Sequence, residues 1–194
     1  MSEHLRPIAF MGKAGTGKTT LAQMLSEHYG YDRLSIAEPI REVAQMAFGK
    51  FDKQTKYPQN TLGLARLITG RELLQEIGAA LREMDSLFWL RVWRRRVECE
   101  QVDGTIALGA SRPWAVDDLR LDAERNYIAA WYPHTLFVRL VRPPEGATEP
   151  WQLDITERQA GELPAELVLD TQALTPLECI AAVLEAAKKE VVHE

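Results

Sequence analysis

An eight-residue segment near the amino terminus has residue types and spacing suited to holding phosphate: Gly12-Lys13-Ala14-Gly15-Thr16-Gly17-Lys18-Thr19. It satisfies the pattern G-x-x-x-x-G-K-[ST] in full. Its glycines permit backbone torsions and a close approach that let successive N–H groups surround a β-phosphate. We expect Lys18 to bridge the β- and γ-phosphates and the Thr19 hydroxyl to ligate Mg²⁺. Lys13 and Thr20 are expected to make secondary contacts, so the sequence predicts a site for ATP and Mg²⁺.

The sequence on either side of this loop predicts the elements that must position it. A short apolar run, residues 8–11, is bounded by Pro7 and Gly12, as in a strand buried on both faces. From Lys18 to about His28 apolar residues recur at helical spacing. A loop of this kind serves kinases, GTPases, motors and switches. A guanine-specifying N-K-x-D segment is missing from the sequence, which disfavours a GTPase.

Strands and helices alternate along the rest of the chain. Further strands are predicted at residues 34–37, 114–116, 136–141 and 167–169, and helices at 40–48, 69–80, 86–98, 121–130 and 176–189. Thr69 and Glu72, and later Thr175 and Glu178, have the spacing of a capping box. This order predicts an α/β fold with three layers, a mainly parallel sheet covered by helices on both faces.

Composition bounds the class of protein. The chain has 194 residues, of which 46% are hydrophobic and 26% charged, typical of one folded domain. The net charge of −5 disfavours non-specific nucleic-acid binding. Cys99 and Cys179 lie far apart, without the spacing of a zinc site. The amino terminus has no secretory pattern and no apolar run has membrane-spanning length, which indicates a cytoplasmic protein without membrane contact.

Arginines are the residues that a second, acceptor site would need. A kinase must bring an anionic acceptor in line with the γ-phosphate and neutralise the charge that spreads over the transferring group. Arg41 and Arg120 each follow a predicted strand, at the edge where open α/β sheets bind ligands. Asp118 ends an apolar strand, where it would orient the Mg²⁺ shell or a binding arginine; the alternative is a helix N-cap. Glu38 would hold the acceptor sugar or a water; the alternative is an N-cap before Pro39.

Two further features have a functional and a structural interpretation. Arg142 and Arg158 flank a Pro- and Gly-rich segment that would close over the phosphates as a lid, predicted over residues 142–162. Trp89 would stack on an acceptor base, but its helical spacing with Leu90 and Trp93 is more typical of a core position.

The order of these motifs resembles the deoxynucleoside monophosphate kinases of tailed bacteriophages, within the P-loop kinase group. After the loop, the resemblance rests on segments 37–41 (AEPIR), 71–78 (RELLQEIG), Asp85 with Phe88-Trp89, 118–124 (DLRLDAE), Arg142-Pro143 and 169–171 (LDT). The chain departs from the family at Thr19, where aspartate is frequent, at 121–124, where F-P-N-E is usual, and at Asp154, where histidine is common.

The resemblance implies a P-loop NTPase fold with one kinase domain over residues 1–194 and a helical acceptor-binding region around 39–100. It implies transfer of the ATP γ-phosphoryl group to a (deoxy)nucleoside monophosphate in the cytoplasm, that of the host if the protein is phage-encoded. The site residues carried over are Lys18 and Arg120 for catalysis, residues 12–20 for ATP, and Glu38, Ile40, Arg41, Trp89, Asp118 and Arg120 for the acceptor.

Two other functions remain open at this stage. One is a different small-molecule P-loop kinase, similar to dephospho-coenzyme A kinase, and the other is an ATP-binding switch without kinase activity. For the kinase, the expected partners are small nucleotides, with no stable binding to nucleic acid or membrane. The sequence is compatible with a homodimer.

Overall fold

The structure is a computed structural model that describes residues 5–50, 52–61, 64–102, 105–108, 112–142 and 160–188. The chain forms two compact units. The first, the sheet unit, combines residues 1–35 and 97–194; the second, the inserted unit, comprises residues 36–96. This division does not test the single domain expected over 1–194, which stays a prediction.

A five-stranded sheet in which all neighbours are parallel forms the centre of the sheet unit. Its order is β2-β7-β1-β8-β9, with β1 at Ile8–Met11, β2 at Asp32–Leu34, β7 at Trp114–Leu119, β8 at Leu136–Val141 and β9 at Leu167–Asp170. The chain passes from β1 to one side through β2 and β7 and then to the other through β8. The carboxyl end of β1 is therefore the point at which a parallel sheet opens a crevice for ligands.

Helices cover both faces of this sheet, as the sequence predicts. Helix α1 (Lys18–Tyr29) and helix α6 (Pro176–Ala187) share one buried core with Ile8, Phe10 and Val138. On the opposite face, Phe137 lies under the guanidinium of Arg125 from α5 (Asp122–Trp131), 4.7 Å from the ring centroid. A two-stranded antiparallel hairpin, β5 (Cys99–Val102) with β6 (Thr105–Leu108), also belongs to this unit.

The inserted unit contains helices and a hairpin. Helix α2 (Glu38–Phe48) is followed by the antiparallel strands β3 (Lys56–Thr61) and β4 (Leu64–Thr69), then by α3 (Gly70–Met84) and α4 (Phe88–Glu98), whose last residues belong to the sheet unit. Tyr57, Ile68 and Leu73 form a small buried core. Gly78 lets α3 approach α2, because a Cβ there would lie 3.3 Å from the Ile40 side chain.

Most predicted elements are confirmed, and the differences have physical causes. The strand expected at 34–37 lies instead at Asp32–Leu34, since this edge strand carries polar side chains that conceal it from a hydrophobicity pattern. Neither hairpin was predicted, because β3 contains Lys56, Pro58, Gln59 and Asn60. The described helices include none that is long and apolar enough to span a membrane.

Candidate functional site

The phosphate loop connects β1 to α1 at the carboxyl edge of the sheet. Gly12 follows β1 directly and has φ +132°, a region that side chains rarely adopt. A Cβ at this position would lie 2.3 Å from the carbonyl oxygen of Leu140 on the neighbouring strand β8. Gly12 is therefore fixed by both torsion and space, and the loop must leave the sheet between β7 and β8.

Lys18 is the first residue of α1 and its side chain turns back over the loop. The residue is 6% exposed, and its Nζ donates to the carbonyl oxygens of Gly12 and Lys13, each at 2.6 Å. The Thr16 hydroxyl donates to the Lys13 carbonyl at 2.9 Å. A buried ammonium is thus held by loop carbonyls at the mouth of the helix, where the phosphates of a nucleotide would lie.

The first turn of α1 suits an anion. Gly17 occupies the N-cap with φ 92°, makes no side-chain cap, and the first turn carries no acidic residue. Backbone N–H groups at this end therefore meet no carboxylate from the helix itself, and the helix dipole favours negative charge. Thr19 and Thr20 are exposed in the same turn. Mg²⁺ prefers a few oxygen ligands beside those of the substrate phosphates, and Thr19 as one of them stays a prediction.

Two consecutive aspartates near the end of β7 have different surroundings. Asp117 is 3% exposed and its Oδ2 accepts from Arg33 Nε at 3.0 Å and from Arg33 Nη2 at 2.7 Å. Asp118 is partly exposed and its Oδ2 accepts from the Ser35 hydroxyl at 2.6 Å. Asp117 therefore belongs to a buried ion pair, whereas Asp118 accepts from a hydroxyl.

Asp118 lies next to the phosphate loop in the sheet. The following residue, Leu119, pairs with Met11, and Met11 immediately precedes Gly12. The helix α5 begins only at Asp122, so Asp118 is not the N-cap that was its structural alternative. The carboxylate thus lies one residue before the end of a strand that neighbours β1, and its role at Mg²⁺ stays a prediction.

Arg120 leaves β7 at the same edge and its backbone is fixed by a residue that the sequence analysis did not single out. Glu124 Oε2 accepts from the backbone N–H groups of Arg120 at 2.8 Å and Leu121 at 3.0 Å. These are donors that would otherwise be unsatisfied at the start of α5. The spacing D-x-R-x-x-x-E therefore contains a capping contact that orients the turn bearing Arg120.

Arg142 bridges the phosphate loop and the turn after β9. Its Nη1 donates to the Gly15 carbonyl at 3.4 Å and its Nη2 to the Thr171 carbonyl at 3.2 Å, while the residue remains exposed. Arg142 thus contacts the loop, as a residue at the base of a lid would. Arg158, and all of the predicted lid except Arg142 and residues 160–162, lie outside the described residues.

The remaining candidates belong to the inserted unit and contact residues of that unit. Glu38 is the first residue of α2, and its Oε2 accepts from Arg41 Nη1 at 3.0 Å; the N-cap is Ala37. Ile40 is 7% exposed and packs near Gly78. Trp89 is 3% exposed and its Nε1 donates to the Gly78 carbonyl at 3.1 Å, as expected of a core side chain. Acceptor binding by these residues stays a prediction.

The comparisons with known proteins agree with a nucleotide-binding loop. Residues 7–90, fewer than half of the chain, match a family model described as an AAA domain. That match includes the phosphate loop and α1. Among curated proteins, none matches the sequence.

Three solved structures of kinases resemble the chain in fold at low identity. They are a sugar kinase from Janibacter (18% identity, TM-score 0.45, 93% of each chain), a putative kinase from Chloroflexus aurantiacus (18%, 0.48, 95% of this chain and 99% of that one) and a gluconokinase from Sinorhizobium meliloti (16%, 0.45, 94% and 91%). Similarity at this level says nothing about the substrate. The architecture rests instead on the sheet itself: a P-loop between the first strand and helix of a parallel α/β sheet.

Three residues near the site were missed from the sequence. Arg33 lies in the edge strand β2 and Ser35 follows it, but the sequence pattern predicted that this strand begins two residues later. Glu124 was noted only as the last residue of the segment 118–124. An i,i+4 search for acidic side chains after a strand-ending arginine would have found Glu124. Ser35 and Arg33 depend on the pairing of β2 with β7, which brings together residues more than 80 positions apart.

Proposed function

We propose that the protein is a nucleotide kinase that transfers the γ-phosphoryl group of ATP to a (deoxy)nucleoside monophosphate. An oxygen of the acceptor phosphate forms a bond to the γ-phosphorus while the bond to the β–γ bridging oxygen breaks, which yields the nucleoside diphosphate and ADP. The observation that carries the proposal is the position of Asp118 and Arg120 at the strand edge where the Gly12–Thr19 loop begins. Loop, carboxylate and arginine are the groups that such a transfer needs.

The residues of the sheet unit then have separate roles. Lys18 would exchange its carbonyl partners for the β- and γ-phosphates, and the N–H groups at the start of α1 would bind the phosphate oxygens. Thr19 and Asp118 are the residues that would hold Mg²⁺, a hard cation suited to hydroxyl, carboxylate and phosphate oxygens. When bound, the metal would neutralise charge on the β- and γ-phosphates. Arg120 would bind the acceptor phosphate, and no covalent intermediate with the enzyme is required.

Charge favours an anionic acceptor over a neutral sugar. The inserted unit, residues 36–96, has eleven basic and seven acidic side chains, a net charge of +4. The rest of the chain has twelve basic and twenty-one acidic side chains, a net charge of −9. A cationic unit in an acidic protein attracts anionic ligands, and this supports an acceptor role for residues such as Arg41.

ADP release coupled to an indicator reaction, measured across the ribo- and deoxyribonucleoside monophosphates, tests the proposal. We expect ATP consumption that depends on at least one monophosphate and none with neutral sugars or gluconate. Tight ATP binding without turnover on any monophosphate would contradict it. Turnover on another small molecule would favour a kinase of different acceptor class, the nearest alternative.

Two variants on either side of one strand test Arg120 as the acceptor arginine. Arg120 follows the carboxyl end of β7, whereas Arg112 precedes its amino end and is exposed. Arg120→Ala should raise the KM for the acceptor by at least about tenfold, because a charged hydrogen bond to phosphate is lost. Arg112→Ala is the matched control and should leave both KM values unchanged. Equal kinetics for the two variants would remove Arg120 from the site.

The second candidate function is an ATP-binding switch. The match of residues 7–90 to an AAA domain favours it, because that match contains the phosphate loop and needs no acceptor. The same assay separates the two functions. A switch would bind ATP and release ADP at a rate that no monophosphate increases.

A further inference from the structure

We propose that Ser35 is a positioning residue of the ATP site, which holds the carboxylate of Asp118 at the edge of the sheet so that it serves the Mg²⁺ bound with the nucleotide. The proposal rests on the ATP and Mg²⁺ part of the proposed function and adds a residue to it. Ser35 lies in none of the motifs discussed above.

The contact between Ser35 and Asp118 is short and enclosed. Ser35 is 5% exposed, and its hydroxyl donates to Asp118 Oδ2 at 2.6 Å, typical of an O–H donor bound to a charged acceptor. The two residues are 83 positions apart and are brought together because β2 and β7 pair in parallel, with Leu34 opposite Val116. A buried hydroxyl with a carboxylate partner has few other orientations, so it fixes the χ angles of Asp118.

The neighbouring aspartate is held by a different kind of donor. Arg33, two residues before Ser35 in the chain, binds Asp117 through two nitrogens and neutralises its charge in the interior. Ser35 binds Asp118 through a hydroxyl, which carries no formal charge. The two residues thus hold the tandem aspartates differently: Asp117 forms an ion pair that stabilises the β2–β7 pair, and Asp118 accepts from a buried hydroxyl that orients its carboxylate.

The position of Ser35 in the chain gives the contact a second consequence. Ser35 is the last residue of the sheet unit and Ile36 is the first of the inserted unit. The hydrogen bond to Asp118 therefore fixes the backbone at the residue where the chain leaves the sheet. Loss of the hydroxyl would free the strand end and the carboxylate together.

The experiment measures ATP affinity by titration calorimetry, once with EDTA and once with saturating Mg²⁺, and takes the ratio of the two dissociation constants. In the wild-type protein Mg²⁺ should tighten ATP binding. Ser35→Ala should reduce that ratio by about tenfold, the usual effect of losing a residue that orients a metal ligand, with unchanged affinity in EDTA. Asp118→Asn should reduce it at least as far, and the double variant should equal Asp118→Asn alone.

Thr135→Val is the matched control. Thr135 is 1% exposed, and its hydroxyl donates to the Tyr132 carbonyl at 2.8 Å before the amino end of β8, away from the loop. Its loss removes a buried hydroxyl and should leave the Mg²⁺ ratio unchanged. Should Ser35→Ala fail to fold, Ser35→Cys supplies a weak donor of similar size and should show a smaller reduction.

The outcomes are distinct. An unchanged ratio in the soluble Ser35 variants, a reduction equal to that of Thr135→Val, or a wild-type protein in which Mg²⁺ leaves ATP affinity unaltered would each overturn the role of Ser35. The assay needs no acceptor. A protein that shows the expected ratios but phosphorylates no monophosphate would therefore contradict the kinase proposal alone.

Discussion

The sheet unit and the inserted unit hold their candidate residues in different ways. In the sheet unit Gly12 and Asp118 lie at or near strand ends that share one edge of a parallel sheet, and Lys18 is held by carbonyls of the loop that begins there. In the inserted unit Glu38 and Arg41 bind each other within one turn of α2, and Trp89 is engaged by Gly78. The loop is thus held largely by backbone geometry, whereas the residues predicted to bind the acceptor are side chains that are held by local partners.

Charge follows the same division. The net charge is −9 in the sheet unit and +4 in the inserted unit. In the sheet unit a few cations, such as Lys18 and Arg142, are gathered at the loop within an acidic unit. The inserted unit has a general positive charge that is partly compensated by ion pairs such as Arg96 with Glu42. Substitutions in the two units should therefore differ in the size of their effect and in whether they change phosphoryl transfer, ATP affinity or the free energy of unfolding.

The largest expected effect comes from the buried lysine of the loop. If the proposed role of Lys18 holds, Lys18→Ala should reduce the rate of phosphoryl transfer by about a thousandfold or more, because the charge proposed to contact the transferring group is lost. Lys13→Ala is its control: this exposed side chain can be removed while the carbonyl that binds Lys18 stays in place. We expect less than about a tenfold loss for Lys13→Ala in the same ADP-release assay. Comparable losses for both variants would show that loop charge in general, rather than Lys18, supports transfer.

Two glycines, one in each unit, separate the cost of an unfavourable backbone torsion from the cost of a steric clash. Gly12→Ala places a methyl group 2.3 Å from the Leu140 carbonyl at φ +132°, whereas Gly49 has φ +75° with open space around it. Gly49→Ala should lower the free energy of unfolding by about 1 kcal/mol. Gly12→Ala should cost about 3 kcal/mol or more, or displace the loop and abolish ATP binding. Urea unfolding and ATP titration measure both, and wild-type ATP affinity with a Gly49-like loss of stability would refute the predicted clash.

Sequence patterns predicted the structure where it depends on contiguous residues and failed where it depends on strand pairing. The loop, its strand and its helix are contiguous, so spacing alone placed Gly12 and Lys18, and both capping boxes are confirmed. The β3–β4 hairpin was missed because its strands do not alternate in hydrophobicity. The roles of Arg33 and Ser35 arise only when β2 pairs with β7 across more than 80 residues. No pattern within a short window contains that information.

The ion pair of Asp117 tests whether the edge strand stabilises the sheet unit. Arg33→Met leaves a buried carboxylate without its guanidinium and should lower the free energy of unfolding by about 2–3 kcal/mol, less than for a fully buried pair since Arg33 is one-third exposed. The control is Arg112→Met, which removes an exposed pair with Asp32 on the same strand and should cost under about 0.5 kcal/mol. Adding Asp117→Leu to Arg33→Met should recover part of the loss. No recovery would mean that Arg33 acts through packing rather than charge.

The smallest effects come from the two capping boxes, which repeat one device in both units. Glu72 accepts from the Thr69 backbone at 2.7 Å in the inserted unit, and Glu178 accepts from the Thr175 backbone at 2.8 Å in the sheet unit. In each case the pKa of the glutamate lies below its ordinary value of 4.5. The larger cause is the hydrogen bond from the threonine backbone N–H, and the smaller cause is the bond from the threonine hydroxyl. A pKa lowered by folding stabilises the protein above about pH 4.5, and that contribution disappears as the pH falls through the folded pKa.

Glu72→Gln and Glu178→Gln should therefore lower the midpoint of urea unfolding slightly at neutral pH, and each difference from the wild type should shrink as the pH falls below about 4.5. A difference that grows on acidification would contradict the assigned contacts. The pair also tests how the two units unfold. If the units unfold together, both variants shift one common transition; if they unfold separately, Glu72→Gln shifts only the signal of the inserted unit. Because the two capping boxes have the same residue types, any difference between the variants reflects the stability of the unit that contains the box and not the capping contact itself.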